Sequence, residues 1–257
     1  MMRRIPLILV FALAVLVLGL MVMVRLRYGG GLPYPDLTTR ALLPEWRLEV
    51  AASFDEPIGN VAVSEDGRLF FTVHPESRPM ENRLMEWVGD EARPYPSAEA
   101  QRLLFSTVLG VVIDRQGRLW TIDHGNHGFG KARLLAFDLA SGKLVHNHVF
   151  PRAIAPRGSL LQDLQIDPSG ETVFIADTSF WRKSPAIVVY DVSTGVARRL
   201  LERHPSVMAQ DWIIVTPAKR MVFFGGLAAL KPAIDGIAID PAGEWLYFGA
   251  MSHDGLY

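Results

Sequence analysis

From Ile5 to Val24 the chain offers no charged or hydrogen-bonding side chain: IPLILVFALAVLVLGLMVMV. About twenty such residues wound as a helix cross the ~30 Å hydrocarbon core of a bilayer. Arg3 and Arg4 precede the run, and Arg25 and Arg27 follow it. No small-x-small cleavage signal comes after it, so residues 1–27 read as an uncleaved signal anchor that meets the membrane through residues 5–24. A cleaved signal peptide is the rival reading. The balance of arginines and the terminal amine puts the N-terminus inside and the rest outside the cytoplasm, either membrane-anchored or, after cleavage, secreted or periplasmic. Gly29–Gly31 with Pro33 and Pro35 make residues 28–44 a linker.

Beyond residue 45 the pattern changes to alternation with a period of two, the mark of strands with one buried face. Four segments share one design: NVAVSEDGRLFFTVH (60–74), GVVIDRQGRLWTIDHG (110–125), DLQIDPSGETVFIADTS (163–179) and DGIAIDPAGEWLYFGAMS (235–252). Each is a strand, a tight polar turn and a second strand. The turn glycines Gly67, Gly117, Gly170 and Gly243 are 50, 53 and 73 residues apart. Further strands follow at 83–89, 133–139, 143–150, 186–192 and 196–202. Four strands per repeat of about fifty residues is a β-propeller blade. The fold class is therefore all-β, with about three and a half blades in residues 45–257. A half blade leaves an open edge, so the chain reads as a fragment or truncated product, with pairing to a second copy as the alternative. Trp46–Ala52 (WRLEVAA) reads as an extra strand, and residues 204–233 as further strands and a loop bordering the funnel.

Composition narrows the function by exclusion. Lys and Arg total 26 against 27 Asp and Glu, a net charge of −1, so nothing in the balance neutralises a phosphate backbone and no nucleic-acid partner is expected. With no Cys there is no disulfide, thiolate nucleophile or Cys-ligated metal. GFGKAR at 128–133 lacks phosphate-loop spacing.

Several stretches in this order and spacing resemble the major royal jelly protein/yellow family: 59–64 with Phe70, PYPS (94–97), LWTIDHG (119–125), SLLQDLQID (159–167), ADTS (176–179), AIVVYD (186–191) and 235–247. The resemblance implies a six-bladed propeller and covers residue 45 onward. Family members include proteins associated with dopachrome conversion, binders of biogenic amines, and nutritive or signalling proteins. This chain departs at Leu161-Gln162-Asp163-Leu164, where the family usually has Leu-Asn-Asp-Leu.

Propeller geometry sorts the polar residues. The SEDGR, DRQGR, DPSGE and DPAGE turns fall on one face as turn formers. The other face collects Glu56, Asn60, Gln162, Asp163 and Asp235 at the starts of inner strands, and His74, Asp123, His124, His127, Asp177, Thr178 and His253 on the loops after second strands. Gluconolactonase-type propellers, similar in shape, hold a divalent metal with Glu, Asn and Asp at such strand starts. By that likeness Glu56, Asn60, Asp163 and Asp235 are candidates for Ca²⁺ or Mg²⁺. Asp163 and His124 are candidate catalytic groups. Gln162, Asp123, Asp177, Thr178 and His74 are candidate ligand contacts. His127 reads as loop structure, His146 and His148 as surface histidines, and the 181–183 stretch as a lid contact. The expected function is an enzyme acting on a small polar or aromatic molecule at the central funnel, of dopachrome-isomerase or lactone-hydrolase type. The alternatives are a non-catalytic binder of small amines or cations, and an inactive fragment.

Overall fold

The computed structural model describes residues 5–37 and 39–257; Arg3 and Arg4 of the expected anchor lie outside them. The chain divides into two compact units, one formed by residues 39–208 and 232–257, the other by the N-terminal segment to residue 38 with Ala209–Lys231.

The larger unit is mostly β. Three sheets of four antiparallel strands follow one another, each strand pairing with the next in sequence. The first sheet holds Ile58–Val63, Leu69–Val73, Leu84–Val88 and Glu91–Pro94. The second holds Val108–Ile113, Arg118–Asp123, Arg133–Asp138 and Leu144–Val149. The third holds Leu161–Ile166, Thr172–Asp177, Ala186–Asp191 and Ala197–Leu200. Ile234–Ile239 and Leu246–Ala250 form a fourth, two-stranded sheet. The first strands of successive sheets lie against one another, so these four inner strands gather while the fourth strands face outward.

The repeated turns explain the repeated hairpins. Gly67, Gly117, Gly170 and Gly243 all have φ between 74° and 85°, a region that glycine alone adopts without steric cost. The acid that opens the turn accepts backbone N–H groups from its far side: Asp114 from Gln116 and Arg118, Asp167 from Glu171 and Thr172, and Asp240 from Glu244 and Trp245. These acids are turn formers, as the sequence predicts.

Alternation along the second strands feeds two different interfaces. Leu119 packs with Phe70, Tyr95 and Phe137 between the first and second sheets. Its neighbour Trp120 points the other way, into the cluster of Ile122, Leu164, Ile175 and Tyr190 between the second and third. Ile187, Ile234 and Ile237 close the contact between the third and fourth. Each fully buried side chain of this size stabilises the fold by roughly 2–3 kcal/mol before entropy is counted.

Two expectations are corrected. Trp46–Ala52 forms no strand: Glu45–Arg47 is a single 3₁₀ turn and Trp46, Leu48 and Val50 are exposed, because no neighbouring strand offers this segment a ladder. His146 and His148 are half-buried: the His146 ring nitrogen lies 3.1 Å from the Tyr190 hydroxyl, and the His148 ring centroid 4.5 Å from that of Tyr190. Residues 204–233 hold the further short strands expected there, and within them Ala209–Lys231 groups with the N-terminal segment.

In that smaller unit the apolar run forms the helix Ile5–Tyr28. Ile8–Tyr28 contains an 18-residue window with a mean hydropathy of 2.8, and is long and apolar enough to cross a membrane. Leu32–Pro33, inside the expected linker, pairs in parallel with Trp212–Ile213. Val222–Phe223 and Ala228–Ala229 form a short hairpin. The Lys231 ammonium donates to the Gly29 carbonyl (2.8 Å) and the Asp211 carboxylate (2.6 Å).

Candidate functional site

Every inner strand is bulged at the same place. The register slips between Ile58 and Val61, Val108 and Gly110, Leu161 and Asp163, and Ile234 and Ile237. A bulge re-aims the side chain that it carries. The repeated slip makes Asn60, Gly110, Asp163 and Gly236 equivalent positions on four neighbouring strands, with Gln162 and Asp235 each one residue earlier than that position.

Asn60 and Asp163 are held alike. The Asn60 side-chain oxygen accepts the N–H of Val61 at 2.8 Å, and Asp163 Oδ1 accepts the N–H of Leu164 at 2.9 Å. The Asn60 amide then donates to Asp163 Oδ1 at 3.5 Å. The sheet between them contributes Gly110, which brings no side chain into that space. A Cβ there would stand 2.5 Å from the Gln162 carbonyl oxygen. Thr72, which the sequence reading missed, braces the arrangement: its hydroxyl accepts the Asn60 N–H at 3.0 Å and donates to the Leu109 carbonyl at 2.7 Å. The available signal was a hydroxyl residue inside the apolar strand LFFTV.

Asp235 completes a group of three. Burial pushes its carboxyl up to about 6, and the nearby Asp163 charge adds to the rise. Burial also raises Asp163, against the lowering effect of the N–H groups of Leu164 and Ile237 and of the Asn60 amide. Two half-buried carboxyls with raised proton affinity thus lie near enough to interact electrostatically, and one of them bonds an amide. Such a pair holds a proton near neutrality or exchanges it for another cation.

The expected metal set is not assembled whole. Among the described residues no three His, Asp or Glu side chains form a metal-holding group, so Glu56 does not close a three-acid set with Asp163 and Asp235. Two carboxylates and one amide are oxygen donors of the kind Ca²⁺ takes, and would leave the rest of its six to eight positions to carbonyls and water. Gln162 sits half-buried at the bulge itself.

The loop candidates divide differently. Asp123 is buried and accepts the N–H groups of Ser106, Thr107 and Gly125. Asp177, its counterpart one sheet later, accepts those of Leu160 and Ser179 and pairs with Arg199 at 2.7 Å. Thr178 donates to the Ile234 carbonyl. These three side chains tie second strands to the starts of inner strands, a fold-holding role where ligand contact was expected. His74 Nδ1 accepts the Glu76 N–H and caps a short turn.

His124 is 2% exposed, and burial drives its pKa down to about 3. Its Nδ1 accepts the His127 N–H at 3.0 Å, so the neutral ring carries its proton on Nε2, an atom without a partner. Burial thus favours the neutral ring near neutrality. His127 pairs with Glu76 at 2.8 Å and holds the Glu76 carboxyl below the usual carboxylate range. Gly125, Asn126, His127 and Gly128 all have φ between 50° and 69°, so this stretch is a left-handed loop, as expected for His127. The Trp181 ring centroid lies 6.2 Å from that of His127.

A family model described as Major royal jelly protein matches residues 106–257. The chain is 26% identical over 186 residues to Major royal jelly protein 3 of Apis mellifera, covering 66% of this chain and 32% of that protein. Major royal jelly protein 6 of the same organism is 27% identical over 158 residues, covering 57% of this chain and 34% of that protein. The chain thus spans about a third of the length of these relatives. Among solved structures it is similar to XC5397 of Xanthomonas campestris, described as a gluconolactonase, with 15% identity, a TM-score of 0.43, and coverage of 77% of this chain and 56% of that one. It is also similar to hydrazine synthase of Kuenenia stuttgartiensis, with 15% identity, a TM-score of 0.40, and coverage of 74% and 61%.

Proposed function

The chain belongs to the major royal jelly protein family, and from that premise we propose that it is a propeller-type protein that binds a small organic cation at Asn60, Asp163 and Asp235. The successive four-stranded sheets with gathered inner strands support the propeller. The observation that carries the ligand class is the convergence of two carboxyls and one amide from three different sheets, with the Asp235 carboxyl raised to about 6. An ammonium group entering there supplies the positive charge that the pair lacks. It displaces the proton that the raised carboxyl holds near neutrality, and its N–H groups donate to the carboxylate oxygens. The binding site lies outside the cytoplasm, with the protein anchored by the helix Ile5–Tyr28 or released after cleavage.

A second reading rests on the same raised carboxyl. A group that gains and loses a proton near pH 6 suits general acid–base work, so Asp235, with Asp163 as its partner, moves protons in an isomerisation or lactone opening.

Calorimetric titration of the full chain with tryptamine and with CaCl₂ tests the first reading; turnover of dopachrome and of gluconolactone tests the second. Tryptamine heat that disappears in Asp163→Asn and Asp235→Asn supports organic-cation binding. Undiminished heat in both variants overturns it. Turnover lost in Asp235→Asn supports the proton-transfer reading, and turnover absent from the wild type contradicts it.

A further inference from the structure

The smaller unit carries an exposed aromatic tip beside the apolar helix. The hairpin Val222–Phe223/Ala228–Ala229 touches that helix. Val24 and Tyr28, one turn apart in its last stretch, are the described helix side chains that are half-buried; the others are exposed. Ala228 and Ala229 are small enough for close approach, and Ala229 is 1% exposed. The Lys231 ammonium, just past the hairpin, bonds the Gly29 carbonyl just past the helix. The hairpin therefore sits at the C-terminal end of the helix.

At the far end of this hairpin Phe224 is 83% and Phe223 45% exposed. Lys219 and Arg220 are exposed in the turn that precedes it, and Arg25 and Arg27 are exposed on the helix. The acids of this unit are Asp36 and Asp211, the latter bonded to Lys231. Exposed aromatics flanked by basic residues, at the point where an apolar helix ends, match the headgroup boundary of a bilayer. There apolar rings enter the outer acyl region and cations meet anionic headgroups.

We propose that residues 219–231 form an interfacial foot that inserts Phe223 and Phe224 into the headgroup–acyl boundary of the bilayer spanned by Ile5–Tyr28. This rests on the anchor reading given above. Continuity with the helix end and charge complementarity favour lipid over a second copy of the chain or another protein.

The chain has no Cys, so a single introduced cysteine takes a nitroxide label uniquely. The full chain, labelled through Phe224→Cys or through Leu16→Cys, is reconstituted in phosphatidylcholine vesicles with and without phosphatidylserine. Collision with dissolved oxygen is compared with collision with a water-soluble nickel chelate. The proposal expects the oxygen-to-nickel collision ratio at 224 to be several-fold that of a label on a free peptide in water, and smaller than that at 16. It also expects Lys219→Glu with Arg220→Glu to abolish any deepening at 224 caused by phosphatidylserine. A deep label at 16 with a fully aqueous label at 224 overturns the foot and leaves the anchor standing. An aqueous label at 16 overturns both. A label at 224 shielded from both reagents points to a protein occupant and overturns the lipid assignment.

Discussion

Asn60 and Asp163 are 103 residues apart in the chain and meet at 3.5 Å across the inner strand of the sheet between them. Each side-chain oxygen accepts the N–H of its own next residue, so both are aimed by the same bulge geometry. Gly110, the equivalent residue on the strand between, permits the contact. Gly110→Ala therefore does two things. Its Cβ would stand 2.5 Å from the Gln162 carbonyl and 2.7 Å from Ile122 Cγ2. Overpacking of this kind costs about 1–3 kcal/mol, which urea unfolding will register. It also moves the first and third inner strands apart and weakens ligand heat at the site.

The raised carboxyl of Asp235 makes stability depend on pH in a definite direction. Its folded value, about 6, exceeds the ordinary 3.8. The contribution is therefore complete below that ordinary value and is lost as pH rises through about 6. The full effect is at most about 3 kcal/mol, from 1.36 kcal/mol per unit. Asp235→Asn removes this dependence, so its stability relative to wild type increases from acid to neutral pH. Thermal unfolding at a series of pH values checks the sign.

His124 acts in the opposite sense. Its folded value is depressed, so its contribution is present above the ordinary imidazole value of 6.5 and is lost as pH falls toward about 3. Its ring resonances in a proton–nitrogen correlation spectrum will show the Nε2–H tautomer and stay fixed between about pH 5 and 8, while an exposed imidazole titrates there.

Asp177 and Arg199 form a buried ion pair, with side chains 0% and 8% exposed. Arg199→Ala leaves the carboxylate without its countercharge and costs about 3–5 kcal/mol by urea unfolding. Asp177→Asn combined with Arg199→Met recovers a large part of that loss, because neither remaining group then carries a buried charge.

The propeller-like strand plan was legible in the sequence because alternation and turn glycines are local signals: the four hairpins stand where DGR-, QGR-, SGE- and AGE-type turns predict them. The placement of Asn60, Asp163 and Asp235 at the starts of inner strands was legible for the same reason. Occupancy of side-chain oxygens was not. Asp123 and Asp177 look like loop carboxylates in sequence, and only the fold shows their oxygens accepting backbone N–H groups across seventeen residues. Trp46–Ala52 has a strand's pattern and no strand beside it. The pairing of Leu32–Pro33 with Trp212–Ile213 joins residues 180 apart with no local cue.

The most direct test is a carbon-detected titration of the Asp235 side-chain carboxyl in the full chain, repeated in Asp163→Asn. A shared acidic site predicts a midpoint near 6 that falls when the Asp163 charge is removed, while burial keeps it above the ordinary carboxylate value. A midpoint at the ordinary 3.8, unchanged in Asp163→Asn, would contradict the account.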